Sequence, residues 1–233
     1  MDKGALEMER YRDMEMDELF SKLFELASLT QRALSDSVWA LSHHDKALAR
    51  KVKDGDDAID ELALTIDTES FQIIARYQPV AMDLRSLEAC IRIALDLERI
   101  SDLAVSVAKT TIGLDVRIKP LLGLAPMGEK VTEMLDTVMK SLLERDSAMA
   151  ESVFPMDDEV DSLEDMVFKE LLEVVTETRG VIQGADRLLM VARFLERAGD
   201  HVTNISEQIC YMLTGRRVKA SDFRRPLPGA DDK

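Results

Sequence analysis

The sequence predicts an all-α protein built from two tandem, similar three-helix bundles. Three observations support this fold class: helix-forming residues dominate the composition, apolar residues recur at three- and four-residue spacing, and the two halves of the chain repeat the same phrases. Glycine and proline are sparse, at 10 and 6 of 233 residues, which leaves few interruptions in long helices. The hydrophobic content of 46% is enough to fill a core at this length.

Six long antiparallel helices follow from the apolar spacing and from the breaks in it. The breaks fall at Gly55, at Pro79, at Pro155 and in a glycine-bounded stretch at 180–184. Glycine favours turns, and the residue before a proline is pushed out of the helical region. In chain order the predicted helices are 5–50, 56–77, 80–112, 126–152, 157–179 and 184–214.

Short connections between long helices favour two antiparallel bundles joined by a linker. We assign residues 1–113 to the first bundle, 114–125 to a linker and 126–215 to the second bundle, because the segment 112–128 around the linker holds two prolines and three glycines. After Gly215 the helical period is lost, so residues 216–233 are predicted to be a disordered tail.

An internal duplication links the two halves. The segment DKALARKVKDGDDAID (Asp45 to Asp60) matches DSAMAESVFPMDDEVD (Asp146 to Asp161) at an offset of 101 positions. A second phrase, LER followed by aspartate, recurs at an offset of 98 positions, since Glu98 and Asp102 correspond to Glu196 and Asp200. A short deletion between the two blocks reconciles the offsets. The halves therefore look like copies of one unit.

The charge and the cysteines limit the functions to be considered. The formal net charge is −15, which argues against nucleic acid or an anionic lipid surface as a direct partner and favours cations or basic protein surfaces. Cys90 and Cys210 both lie within helical patterns, so reduced thiols in a cytoplasmic protein are expected. The N-terminus lacks an apolar leader, and no apolar run has the length of a membrane span.

Each half carries two pairs of acidic residues, four positions apart, on consecutive helices. Residues four apart are separated by about 40° around a helix and share one face. Apolar residues such as Leu84 and Leu95 lie at angles close to Glu98, so we expect the pairs to interrupt an apolar stripe and to point into the bundle. The pairs are Asp56 with Asp60 and Glu98 with Asp102 in the first half, and Asp157 with Asp161 and Glu196 with Asp200 in the second.

Four carboxylates that meet beside an apolar stripe need a positive charge or protons, because like charges repel strongly where water is scarce. Oxygen ligands suit hard cations such as Mg²⁺, Ca²⁺, Mn²⁺ or iron, and carboxylates can bridge several ions. The pattern therefore favours one metal site per half. The alternative is that the acids are solvated or paired with Lys53, Lys109 and Arg193 on a metal-free helical scaffold.

The stretches that carry these acids resemble the signature sequences of the PhoU family, the accessory regulators of bacterial phosphate-specific transport. They are QPVAMDLR (Gln78 to Arg85), DLERISD (Asp96 to Asp102), RFLERAGDHVTNISE (Arg193 to Glu207) and YMLTG (Tyr211 to Gly215). The resemblance implies surface-accessible clusters of divalent or trivalent metal, multinuclear iron or zinc, held by the eight acids of the E/D-x-x-x-D motifs. It also implies that Asp96, Arg99, Arg197 and Asn204 are ligands or outer partners of those ligands.

The same resemblance implies a function. Members of the family are negative regulators of the phosphate-starvation response that act beside a phosphate-specific ABC transporter and a sensor histidine kinase, on the cytoplasmic side of the inner membrane. It implies no direct membrane insertion and no enzymatic activity. Dimers are common among relatives, so a homodimer is expected from the resemblance, although the sequence shows no self-complementary seam.

The first half departs from the family phrase at two positions. Ser101 stands where the second half has Gly199, and Ser106 replaces the amide of Asn204. The first site is therefore expected to bind metal more weakly. His201 lies about 140° from Glu196 around the helix, which predicts a surface position away from the acids.

A rival function is a di-metal carboxylate oxidase in a helical bundle. Such enzymes use Glu-x-x-His pairs, and none of the histidines, His43, His44 and His201, follows an acid by three positions.

Overall fold

The computed structural model describes residues 3–114, 123–177 and 182–223, and these ranges contain helices but no strand. This confirms the predicted all-α class. The helices are α1 (Lys3–His43), α2 (Lys46–Asp54), α3 (Asp56–Tyr77), α4 (Ala81–Gly113), α5 (Leu124–Glu144), α6 (Ser147–Glu151), α7 (Phe154–Glu177) and α8 (Ile182–Thr214), followed by a 3₁₀ turn at Ala220–Asp222.

Helices α1, α3 and α4 form the bundle of the first half, and α5, α7 and α8 form that of the second. The halves pack against each other through α4 on α8 and through α1 on α5. One hydrophobic core runs through both bundles, since it joins Leu23 and Leu97 of the first half to Val131 and Ile205 of the second. No helix of the described ranges is apolar over a length that could cross a membrane.

The first helix of each half is shorter than predicted. The expected helix 5–50 is interrupted at His44, and the expected helix 126–152 at Arg145; both residues adopt left-handed backbone, with φ of 53° and 54°. Asp45 and Asp146 follow, and each side chain accepts two backbone hydrogen bonds of 2.9–3.1 Å from the next helix. Aspartate at this position caps a helix start, so the duplicated aspartates begin the short helices α2 and α6.

The other breaks lie close to their predicted places. Helix α3 ends at Tyr77, where Gln78 turns left-handed just before Pro79. Helix α8 ends at Thr214, and Gly215 takes a φ of 71° that costs glycine little. Most of the predicted linker, residues 115–122, and the segment 178–181 lie outside the described residues.

Part of the predicted tail lies along the second half. The backbone N–H of Ala220 donates to Glu207 Oε1 at 2.8 Å, and the ring of Phe223 lies 4.8 Å from that of Phe154. The rest of the predicted disordered tail, residues 224–233, lies outside the described residues.

Helices α4 and α8 run antiparallel over their whole lengths. Asp96 contacts His201 near the middle, Arg187 donates to the carbonyl of Gly113 at one end, and Arg85 lies against Gly215 at the other. This contact fixes how the α3–α4 surface of the first half and the α7–α8 surface of the second are placed.

Candidate metal-binding faces

The first acidic face lies between α3 and α4 and brings together the four acids predicted for the first half. The pKa of Glu98 is raised, first by burial and then by the charges of Asp102, Asp60 and Asp56, while Arg99 opposes the rise. The pKa of Asp60 is raised by partial burial, by Asp56 and by Asp102. The charges of these carboxylates thus act on one another across the α3–α4 surface.

This face is open to solvent at Asp60, so the expectation that the acid pairs point into the bundle is wrong for that residue, whereas the Glu98 side chain is only 21% exposed. Asp60 is exposed, and the neighbouring Leu64 and Leu95 are 66% and 55% exposed. A groove of about 330 Å³ opens here; it is lined by Asp60, Ala63, Leu64, Asp67, Ile91, Leu95 and Glu98. The apolar stripe of α4 is wider than the surface that its neighbours cover, and the acids lie at its uncovered edge.

Arg99 balances part of the negative charge. Its Nη1 donates to Asp102 Oδ2 at 3.0 Å, and its Nε lies 3.3 Å from Glu98 Oε2. That oxygen of Glu98 is buried and accepts no hydrogen bond in the described part of the chain, because the Nε contact lacks hydrogen-bond geometry. A buried carboxylate oxygen that accepts no hydrogen bond is costly, and the ion-pair contact with Arg99 offsets only part of that cost.

Ser101 and Gly199 differ in what they place beside the first predicted acid of each half, Asp56 on α3 and Asp157 on α7. The hydroxyl of Ser101 donates to Asp56 Oδ1 at 2.9 Å. At the corresponding place Gly199 lets Asp157 approach the helix, since a Cβ there would lie 3.2 Å from Asp157 Oδ1. Asp157 is only 3% exposed, whereas Asp56 is half-buried. The sequence difference thus corresponds to a real difference between the faces.

The second acidic face lies between α7 and α8. The pKa of Glu196 is raised, first by burial and then by Asp200, Glu164 and Asp161, while Arg193 lowers it. Asp161 and Asp200 are exposed, as Asp60 is in the first half. Sequence reasoning missed Glu164, although it lies one turn beyond Asp161 and its spacing could have indicated it.

The predicted outer partners are placed differently from one another. Arg99 contacts the acids of its own face, whereas Arg197 and Asn204 are exposed beside the second face. Asp96 lies about 200° from Glu98 around α4, and its Oδ1 is 2.8 Å from His201 Nδ1 on α8. Asp96 therefore joins the halves, and His201, with a side chain 22% exposed, lies at that contact and not on the open surface as predicted.

The donor set suits a hard cation, but the side chains are not drawn together around one. Among the described residues, no group of three His, Cys, Asp or Glu side chains has the spacing to hold a metal ion as it stands. Each face offers oxygen donors alone, with mutual repulsion that a cation would relieve. Glu98 Oε2, which accepts no hydrogen bond and has only the ion-pair contact with Arg99, is the atom that most directly fits a cation.

Two tandem three-helix bundles, each with an open carboxylate face on its second and third long helices, define a class of duplicated all-α proteins. This chain belongs to the PhoU family, because the model of the PhoU domain matches it twice, at residues 23–111 and 124–209. The two matches cover the two bundles in turn.

Relatives and solved structures of the same family match most of the chain. A phosphate-specific transport system accessory protein PhoU homolog from Clostridium acetobutylicum is 33% identical over 90% of this chain and 97% of its own length. A homolog of the same name from Rhizobium meliloti is 37% identical over 87% of each chain. The crystal structure of PhoU from Pseudomonas aeruginosa superposes with a TM-score of 0.83 at 31% identity, covering 88% of this chain and 99% of that one.

Proposed function

We propose that this protein is the accessory regulator of a phosphate-specific transport system, and that it restrains phosphate uptake and the phosphate-starvation response when phosphate is abundant. In this role it couples an ABC transporter, through its ATPase or permease, to a sensor histidine kinase. It acts in the cytoplasm and reaches the inner membrane through these partners.

One observation carries the proposal: the similarity to proteins named as phosphate-specific transport accessory proteins extends over nearly the whole chain, at 33% and 37% identity for the two relatives above. The physical properties agree with a protein-binding regulator. The long helices offer broad surfaces, and the net charge of −15 suits basic surfaces of partner proteins.

We further propose that each acidic face holds a metal ion or a multinuclear cluster, with iron and zinc as first candidates and Mg²⁺, Mn²⁺ or Ca²⁺ as others. Asp56, Asp60, Glu98 and Asp102 hold the metal of the first half, and Asp157, Asp161, Glu196 and Asp200 that of the second. A bound metal supplies positive charge that cancels the repulsion within each face and an open coordination position for phosphate. The buried Oε2 of Glu98, which accepts no hydrogen bond, and the raised pKa of Glu196 support this role.

We infer that the protein is a regulator and not an enzyme. A di-metal oxidase of a helical bundle uses Glu-x-x-His pairs beside its carboxylates, and none of the three histidines follows an acid by three positions. A homodimer is part of the proposal only through the family resemblance.

The regulatory role is tested in a bacterial host whose own copy of the gene is deleted, with a reporter of the phosphate-starvation response. The wild-type protein should restore repression at high phosphate. The quadruple variant Glu98→Gln, Asp102→Asn, Glu196→Gln, Asp200→Asn should lose it. Asp54 and Asp136 are exposed acids outside both faces, so Asp54→Asn with Asp136→Asn is the matched control and should repress normally.

Two further measurements separate the parts of the proposal. Affinity purification from the same host should recover the transporter ATPase and the kinase, and elemental analysis of the purified protein should find metal that the quadruple variant lacks. If that variant represses normally and the wild-type protein retains no metal under any loading condition, the acids are only solvated side chains of a scaffold. Loss of both partners and of repression in wild type would reject the regulatory role itself.

A further inference from the structure

Arg85 occupies an unusual position where the start of α4 meets the end of α8. The Cζ, Nη1 and Nε atoms of its guanidinium lie 3.7, 3.9 and 4.0 Å from the place where a Cβ on Gly215 would stand. These nearly equal distances mean that the guanidinium plane lies flat over the glycine. Its N–H bonds lie in that plane and therefore do not point at the glycine below it.

This guanidinium has no anionic partner in the described part of the chain. Its Nε is buried and donates no hydrogen bond. The two acids nearest to it along α4 are engaged elsewhere, since Asp83 lies 3.4 Å from Arg12 and Glu88 lies 3.1 Å from Arg92. A buried charged donor is expected to have a partner, so this one calls for a ligand.

The opposite end of the same helix pair shows what a satisfied arginine looks like here. Arg187, near the start of α8, reaches the end of α4 and donates through Nη1 to the carbonyl of Gly113. Arg85 has the corresponding place at the end of α8 but makes no such bond. The difference makes Arg187 a natural control for Arg85.

Two more arginines follow Gly215 directly. Arg216 and Arg217 are exposed, and the guanidinium of Arg217 lies 5.0 Å above the ring of Tyr211, one turn before Gly215. In a chain of net charge −15, Arg85 against Gly215 and two arginines that directly follow this glycine in sequence concentrate positive charge at this end of α8. Guanidinium groups bind tetrahedral oxyanions through paired N–H groups.

We propose that Arg85, Arg216 and Arg217 form a binding site for a phosphate-type oxyanion, supplied as free inorganic phosphate or as the phosphoryl group of a nucleotide. Arg85 contributes a half-buried guanidinium whose Nε–H has no partner, and the other two contribute exposed positive charge beside it in sequence. The site contains none of the acids of the metal-binding faces, so it is independent of bound metal and of the proposed regulatory role.

The test uses full-length protein stripped of metal by chelation, so that binding at the acidic faces does not contribute. Inorganic phosphate and, separately, magnesium-free ATP are titrated by calorimetry at constant ionic strength, with chloride as the reference anion. Wild type should bind at least one of the two saturably, and Arg85→Gln should weaken that binding by about tenfold or more. Arg187→Gln should bind as wild type does.

The outcomes distinguish free phosphate from a nucleotide as the ligand, and they also show when the proposal is wrong. Binding of phosphate identifies the free ion, whereas binding of ATP alone identifies a phosphoryl group. No binding of either anion, or equal binding by wild type and Arg85→Gln, overturns the proposal. If Arg85→Gln does not fold, Arg85→Lys and the pair Arg216→Gln with Arg217→Gln replace it. Arg85→Lys keeps the charge but loses the Nε–H, and unchanged affinity in both replacements also overturns the proposal.

Discussion

His201 on α8 holds Asp96 on α4 through a 2.8 Å contact between Nδ1 and Oδ1. The two side chains are 22% and 16% exposed, and they join the halves near the middle of the longest helix contact. The pair thus belongs to the interface between the bundles and not to either acidic face.

We expect this pair to stabilise the packing of the two halves. His201→Ala and Asp96→Ala should each lower the free energy of unfolding, and a double-mutant cycle should give a coupling of about 1 kcal/mol, the usual net value of a partly buried hydrogen bond. Urea denaturation measures it. The exposed pair Lys140 and Glu144, 3.8 Å apart, is the control and should show less than about 0.5 kcal/mol; equal couplings would contradict the expectation.

The acidic faces should make the metal-free protein more stable as the pH falls. The pKa of Glu98 and of Glu196 is raised above the ordinary value of 4.5, so the folded state holds these protons more tightly than the unfolded chain does. Their stabilising contribution is complete below pH 4.5 and is lost as the pH rises through the folded pKa. At pH 7, Glu98→Gln should therefore raise the unfolding free energy of metal-free protein by up to about 1 kcal/mol.

Added metal should reverse the effect of Glu98→Gln on stability, so that the variant becomes less stable than wild type. If Glu98 is a ligand, wild type gains stability with metal concentration and Glu98→Gln gains less. Chemical denaturation at pH 5 and pH 7, with and without metal, measures both effects, and Asp136→Asn on α5 serves as the control. A Glu98→Gln variant that is less stable than wild type without metal at pH 7 would contradict the repulsion inferred for the first face.

Exchanging the residues at positions 101 and 199 should change the metal affinities of the two faces in opposite directions. Gly199→Ser places a Cβ 3.2 Å from Asp157 Oδ1 and displaces a buried carboxylate, so metal affinity of the second face should fall by about tenfold. Ser101→Gly removes the donor to Asp56 and should strengthen the first face. Titration with Mn²⁺, followed by electron paramagnetic resonance, gives both affinities. Unchanged affinities in both variants would mean that these residues do not set the difference.

The duplicated caps should contribute equally to stability. Asp45→Ala and Asp146→Ala each remove two backbone hydrogen bonds at a helix start and should cost about 1 kcal/mol of unfolding free energy. Asp54 lies in the last turn of α2, where a negative charge opposes the helix dipole, so Asp54→Ala should cost nothing. Thermal or urea unfolding measures the stability of the three variants, and unequal losses for Asp45→Ala and Asp146→Ala would contradict the expectation.

The fold could be predicted because helix propensity, apolar periodicity and duplication agree over the whole chain. The interruptions at His44 and Arg145 could not, since neither residue is a typical helix breaker and the helical period continues across both. The matching Asp45 and Asp146 were visible as a repeat, and their role as caps required knowing where the preceding helix ends.

The sequence could predict which acids share a helix face, but not how much of that face the neighbouring helices cover. Angular position grouped Glu98 with Asp102 and with apolar neighbours, yet it could not tell which part of that stripe the next helix covers. Leu95, at 55% exposure, shows that the stripe extends beyond the core. The contact between Asp96 and His201 could not be predicted, for another reason. The two residues are 105 positions apart in the sequence, and no local pattern indicates that they meet.

The three contacts along α4 and α8 also restrict how the halves can move. Shear of α4 along α8 by one turn would break the contacts of Asp96 with His201, of Gly113 with Arg187 and of Arg85 with Gly215 together. Sliding is thus opposed at both ends and the middle at once. A signal that passes from one half to the other is therefore expected to travel as a small rotation about this helix pair.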